Sequence, residues 1–490
     1  MAKIGQAGFS CLLNEQGLGQ CRIFQKKSMR SVRWLLAALL FTASCKLMPR
    51  NDSTDADRLT AMKGPYTAPA WVQHTTIYEV NLRQYTKTGT FNAFALELPR
   101  LKELGVETLW FMPLTPIAKQ NRKGTLGSYY ACSDYKAINE EFGTSEDFKQ
   151  LVRQAHAMGF KIIIDWVANH TGWDHVWTRQ HPDYYLKDST TGTFQIASGM
   201  DDIIELDFDN PKLRSAMIDA MKYWVTEFDI DGFRCDLAFW VALDFWKEAR
   251  PQLDAVKPLF WFGEYDELEK PEYGEVFDAS YTWTWMHLAK DFYQQGLPID
   301  SLLGVLQRYD KIGDSSLRSW FTTNHDENSW NGTEYEKYGN MAKALAVFSM
   351  TWNGVPLLYS GQEIGNRKRI AFFEKDLFES GSDAQILFAF YQQLLRLKKQ
   401  HPALGAGDTL VKTYRIKTSA DDKVFCYLRK KEDREVLVVL NLSSQPDLHF
   451  DLLDNRVAGT YKNIFSGAAN DFTATRSFEI QPWEFLLYEK

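Results

Sequence analysis

Asp231-Gly-Phe-Arg-Cys-Asp-Leu-Ala-Phe-Trp240 is the stretch from which the fold can be read. It is mostly apolar, as a strand buried on both faces must be, and such strands belong to parallel sheets. Yet Arg234 and Asp236 stand in its middle. Strand side chains alternate, so the two point to one face. Burying an arginine and an aspartate there is costly unless they serve each other or a third group.

Working outward, the same kind of strand recurs. Thr76-Ile-Tyr-Glu-Val-Asn81, Thr108-Leu-Trp-Phe-Met-Pro113 and Lys161-Ile-Ile-Ile-Asp165 precede it. Phe260-Trp-Phe-Gly263, Val276–Tyr281, Trp320–Asn324 and Pro356-Leu-Leu-Tyr359 follow. Between most of them lie helical patterns. Phe94, Leu98, Leu101 and Leu104 recur at helical spacing before Gly105. Thr144-Ser-Glu-Asp147 reads as a capping box, and Asn210-Pro211 as a helix start. Eight strand–helix units over about 330 residues predict an α/β chain folded as a (β/α)8 TIM barrel. The rhythm breaks between Asn169 and Asp209, a roughly 40-residue excursion after the third strand, and long loops on this face tend to be functional. After Gly405, β-rich runs at Val424–Arg429, Val436–Leu442 and Ser477–Tyr488 predict a C-terminal antiparallel β-sandwich.

Composition narrows the function. The chain has 490 residues, 45% hydrophobic, which supports a large core. Its net charge of −7 and lack of a long basic run argue against nucleic acid as a partner. Sixteen Trp and 22 Tyr supply stacking surface, and the acidity favours sugars over bases. The six cysteines show neither a disulfide framework nor metal-type spacing.

The N-terminus has the layout of a secretory signal: basic Met29-Arg-Ser-Val-Arg33, apolar Trp34–Phe41, then Thr42-Ala-Ser-Cys45. The apolar run is too short to span a bilayer. Its end resembles a bacterial lipobox, in which Cys45 carries lipid and anchors an exported chain in the cell envelope, at the periplasmic or outer surface. On this reading translation starts at Met29. Residues 1–45 are the signal region, 46–69 a tether, 70–404 the barrel with its inserted domain B at about 171–210, and 405–490 the sandwich.

Barrel chemistry sits at the C-terminal strand ends, and four of these are polar in a particular way. The third strand runs into Asp165-Trp-Val-Ala-Asn-His170, the fourth carries Arg234 and Asp236, the fifth ends in Gly263-Glu264, and the seventh in Asn324-His325-Asp326. Adjacent strands lie about 4.8 Å apart. Asp236 and Glu264 would then face each other at about 5 Å, the separation of a nucleophile and an acid/base flanking one glycosidic bond in a retaining enzyme. Arg234 is expected to keep Asp236 ionised by lowering its pKa. An apolar wall and the neighbouring carboxylate are expected to keep Glu264 protonated.

These stretches resemble the signature regions of the α-amylase family of glycoside hydrolases (family 13): Asp165-Trp-Val-Ala-Asn-His170, Gly232-Phe-Arg-Cys-Asp236, Gly263-Glu264 and Phe321-Thr-Thr-Asn-His-Asp326. The resemblance implies Asp236 as nucleophile, Glu264 as acid/base and Asp326 as transition-state stabiliser. It implies Arg234, His170 and His325 around the sugar that is cleaved, with Tyr130, in Gly127–Asp134, as the platform beneath it. It also implies α-1,4-linked starch oligosaccharides as substrate, and a structural Ca²⁺ with Asn169 among its ligands. Two departures stand out. Phe239 and Trp240 occupy positions where many members carry Lys-His against the acceptor sugars, and Glu205 replaces the usual Asp in Ile204–Pro211. The aromatic acceptor side leaves a second enzyme reading open, transfer to a sugar in place of water. A non-catalytic glucan-binding relative is disfavoured because all three carboxylates are present.

Overall fold

A computed structural model describes residues 65–313 and 316–490. The signal layout, Met29, Cys45 and most of the tether lie outside the described residues. Among the described residues no helix is long and apolar enough to cross a membrane.

Eight parallel strands close into a barrel: β1 (Ile77–Val80), β2 (Thr108–Phe111), β3 (Lys161–Trp166), β4 (Gly232–Cys235), β5 (Phe260–Asp266), β6 (Ala279–Tyr281), β7 (Leu317–Trp320) and β8 (Val355–Tyr359), with β8 pairing back onto β1. All of β1, β2 and β4 is buried, which accounts for their mostly apolar composition, broken only by Glu79 and Arg234 among the charged types. Helix starts fall where the sequence marks them. Thr144 and Asp147 form a reciprocal capping box at Ser145–Ala157, and Asn210 caps Pro211–Phe228. Gly105, at φ 103°, ends Leu98–Leu104 in the left-handed region that glycine adopts without penalty.

Three strand expectations are corrected. The sixth begins at Ala279, because the Val276 and Phe277 amides both donate to the Tyr273 carbonyl, not to the ladder. The seventh ends at Trp320, and the chain then turns, with Asn324 Oδ1 accepting from the Glu327 N–H at 2.8 Å to open a π-helical turn, Glu327–Asn331. The fourth ends at Cys235; Leu237 takes φ 41°, and Ala238–Trp240 is a 3-10 turn.

The excursion after β3 holds a two-stranded antiparallel sheet, His170–Gly172 with Ile203–Glu205. It packs Ala197 and Ile203 against Ile117, Ala118 and Ala131 of the long β2 loop. The C-terminal domain is a six-stranded antiparallel sheet plus the pair Leu448–Asp451 and Ser477–Ile480. One of its inner strands, Val424–Lys431, shows how period 2 serves two cores. Cys426 and Leu428 join the sandwich interior with Phe450 and Ile480, whereas Phe425 and Tyr427 join the barrel core. Tyr427 also hydrogen-bonds Thr351 at 2.6 Å.

Candidate active site

Arg234 is the centre of the site. Its side chain is fully buried, on β4. Nη1 lies 2.9 Å from Asp165 Oδ1 and 2.9 Å from Asp236 Oδ1, and Nη2 lies 2.8 Å from Glu264 Oε2. Nε donates to the Tyr281 hydroxyl at 3.3 Å, and the guanidinium sits 5.1 Å from the Trp110 ring centroid. Burial would lower its pKa, but Asp165 and Glu264 hold it well above its usual value. A planar fork with five donors can bridge three carboxylates, which an ammonium could not do with the same geometry. Arg234 and Asp236 thus serve each other, and they also serve two further acids.

Strand ends and turns position the acids. Asp236 follows β4, its N–H donating to the Trp166 carbonyl at 2.9 Å. The left-handed Leu237 turns the chain so that its N–H donates to Glu264 Oε2 at 2.8 Å. A non-glycine residue in that region is strained, and such strain concentrates at functional sites. Glu264 stands within β5, 10% of its side chain exposed, and Asp236 is 8% exposed. Asp326 directly precedes the π-helical turn beyond β7 and is 40% exposed, so the site opens to solvent on that side.

Arg234 does pull the Asp236 pKa down, as expected, but the expectation that it keeps Asp236 ionised is corrected. Burial and the Glu264 carboxylate push Asp236 well above the usual range, and Arg234 opposes them without prevailing. Burial is the largest cause, and one guanidinium charge divided among Asp165, Asp236 and Glu264 does not offset it. Asp165 is likewise raised by burial, against Arg234 and His325.

Tyr130 and His325 form the other wall. The Tyr130 hydroxyl donates to Asp165 Oδ2 at 3.1 Å and bonds His325 Nε2 at 2.7 Å. Its ring stacks on the His325 ring, 5.5 Å between centroids at 19°. His325 Nδ1 bonds Glu79 on β1, and Nε2 lies 3.4 Å from Asp326 Oδ2. Burial would lower the His325 pKa, but Asp326 and Glu79 lift it to about 9, so the ring is cationic at neutral pH. His170 is its opposite. Burial lowers it to about 4, the Tyr130 backbone opposing only weakly, so it is neutral. Neither of its buried nitrogens has a well-formed hydrogen bond.

Phe239 lines a cavity beside Glu264. Trp240 is 38% exposed and packs edge-on against Phe239 at 6.0 Å. The calcium expectation fits less well. Ca²⁺ takes six to eight oxygens, whereas Asn169 leaves a buried Nδ2 donor unpartnered and Glu205 accepts from Gln195 at 2.8 Å. Among the described residues no three His, Cys, Asp or Glu side chains converge as a metal site. The side chains at Asn169 do not assemble an oxygen cage.

Sequence reasoning passed over several participants. Asp165 was quoted only as part of a motif, although it is the acid that ties Arg234 to Tyr130. Glu79, Tyr281 and Phe372 went unmarked; Phe372 stacks on Tyr130 at 6.2 Å and 17°. A charged residue inside an otherwise apolar first strand was the available signal for Glu79.

The chain matches known families and proteins. The model of the α-amylase catalytic domain matches residues 77–194 and 183–378, and that of the α-amylase C-terminal all-β domain matches 414–482. An α-amylase of Haloarcula japonica is 30% identical over 403 residues, covering 79% of this chain; the chain spans only 58% of that relative's length. An α-amylase of Dictyoglomus thermophilum is 26% identical, with 82% of this chain and 74% of the relative covered. The crystal structure of a noncanonic maltogenic α-amylase from Thermotoga neapolitana superposes with a TM-score of 0.77 at 29% identity, covering 86% of this chain and 99% of that one. An α-amylase from Lactobacillus plantarum gives 0.75 at 28%, covering 86% and 100%.

Proposed function

Because the chain belongs to the α-amylase family of glycoside hydrolases, we propose that it is a retaining hydrolase of α-1,4-glucosidic bonds in starch-derived oligosaccharides. The observation that carries this is Arg234 joining Asp236 and Glu264, from adjacent strands, through the two arms of one guanidinium. Two acids so close do not both ionise freely, so the pair starts with one proton. Burial and Glu264 push the Asp236 carboxyl up, so the shared proton must move to Glu264 when the sugar docks; Leu237 N–H and Arg234 both engage Glu264 Oε2, which leaves Oε1 to deliver it to the glycosidic oxygen.

In the first step an Asp236 oxygen bonds to the sugar C1 as the C1–O glycosidic bond breaks, and Glu264 gives its proton to the departing oxygen. In the second, Glu264 takes a proton from water, whose oxygen bonds to C1 while the Asp236 ester bond breaks. Two inversions restore the α-anomer. Asp326, hydrogen-bonding sugar hydroxyls, tightens its grip as positive charge develops at C1. Tyr130 offers its ring face below the sugar, and cationic His325 donates to a hydroxyl once it exchanges its bond to Tyr130. The test is a ladder of maltooligosaccharides with the full chain, following product size and anomer by NMR. Shorter sugars appearing first as the α-anomer are expected, with no turnover by Asp236→Asn.

A second reading is favoured by Phe239 and Trp240. Their apolar surface can hold a sugar acceptor against water, and longer products in the same assay would mark transfer. The reading also includes export and anchoring through Cys45, supported by the layout of residues 29–45. Fatty-acid labelling of the expressed protein, lost in Cys45→Ala, tests it.

A further inference from the structure

A cavity of about 300 Å³ opens beside Glu264, lined by Phe239, Lys270, Trp283 and His287 among others. None of Tyr130, Asp236, His325 and Asp326 lines it. It therefore touches the acid/base and not the nucleophile, which is where the departing sugar, and later an acceptor, must sit. Its volume is at the low end for small-molecule sites, roughly 300–1,000 Å³, and suits a single sugar ring better than a chain.

Trp283 is the cavity's fixed wall. Its ring stacks on Tyr281, 5.0 Å between centroids at 3°, and meets Phe321 edge-on at 5.0 Å and 89°. It opens the helix Trp283–Gln295. The next amide, Thr284 N–H, donates to Asp266 Oδ2 at 2.8 Å, and Asp266 is itself held by the Tyr309 hydroxyl at 2.8 and 2.9 Å. One turn along, His287 lies nearly parallel to the indole, 5.9 Å away, and its Nε2 is 3.6 Å from Glu327 beside Asp326. Tyr281 links this stack to Arg234. An indole held by these rings lines the cavity with apolar surface for the C–H side of a pyranose at little entropic cost, with Lys270 and His287 at hand for hydroxyls.

We propose that this cavity seats the first sugar on the leaving-group and acceptor side, with Trp283 as its platform and a determinant of acceptor choice. The proposal rests on the glycosidase reading above. When a sugar occupies the cavity, its hydroxyl oxygen bonds to C1 in place of water, the Asp236 ester bond breaks, and the hydroxyl proton passes to Glu264.

The experiment compares the full chain, Trp283→Ala, Trp283→Phe and His287→Ala on maltotetraose and on α-maltosyl fluoride, whose small leaving group does not fill the cavity. In Trp283→Ala the ratio of kcat/KM for maltotetraose to that for the fluoride should fall about tenfold, and transfer to added glucose should fall with it. Trp283→Phe should recover most of that ratio. His287→Ala, at a half-exposed position, should lower it about threefold, which keeps the test alive if Trp283→Ala does not fold. An unchanged ratio in Trp283→Ala, or in His287→Ala where Trp283→Ala does not fold, or equal losses on both substrates, overturns the proposal. Failure of the glycosidase reading looks different: the wild type turns over neither compound, or Asp236→Asn turns over both.

Discussion

Asp231 and Asp236 stand at opposite ends of β4, five positions apart, and their surroundings are inverted. At the N-terminal end, Asp231 accepts from His156 Nε2 at 2.8 Å and the Ile162 N–H at 2.9 Å, and faces Lys161 and Lys257, each at 3.1 Å. Burial would raise its pKa, but these groups pull it to about 2. At the C-terminal end, three acids share Arg234 and Asp236 is pushed up. Donors outnumber acids below, and acids outnumber donors above. The lower arrangement stabilises the barrel. The upper one is a crowded, perturbed carboxylate cluster at the strand ends, the kind of arrangement that concentrates at functional sites.

The comparison can be broken most sharply at Asp236. Asp236→Asn should lower kcat by about 10⁴-fold without lowering the thermal midpoint, since it removes a crowded buried charge. A loss of stability as large as that from Asp231→Asn would make the upper end structural too. His325 sharpens the contrast from the alkaline side. Its folded pKa of about 9 lies above the ordinary 6.5, so its contribution is fully present below pH 6.5 and is lost as pH rises through 9. Unfolding free energy should decline across that window by at most about 3 kcal/mol, and His325→Gln should flatten the decline. Asp231 has the opposite sign. Its folded pKa of about 2 lies below 3.8, so its contribution is present above pH 3.8 and disappears as pH falls through 2. Asp231→Asn should cost on the order of 2 kcal/mol at pH 7, leave turnover within about twofold, and remove that acid slope in denaturant titrations. The smallest effect should come from Tyr130→Phe. It keeps the ring and deletes the hydroxyl shared by Asp165 and His325, so kcat/KM should fall about tenfold.

The relation between sequence and structure follows the same divide. The barrel was legible because its strands are buried on both faces and its helices carry their own caps, as Thr144, Asn210 and Gly105 do. Those are local properties of neighbouring residues. Strand ends were less legible. Trp320–Asn324 has strand-like composition, but whether its amides join the ladder depends on Asn324 capping a turn. Asp236, Glu264 and Asp326 could be picked out because their order along the chain maps onto adjacent strand ends.

What the chain alone determined is therefore the architecture and the placing of Asp236, Glu264 and Asp326 at neighbouring strand ends, since periodicity and capping act over a few residues. What only the tertiary structure decided is how those carboxylates are charged and what surrounds them. Arg234 proved to be shared by three acids, Glu79 reached His325 across 246 positions, and Trp283 came to line the cavity beside Glu264. A pKa is a sum over every charge and every dehydrated surface near a group, and a cavity is a relation among distant segments. Neither exists until the chain has closed the barrel.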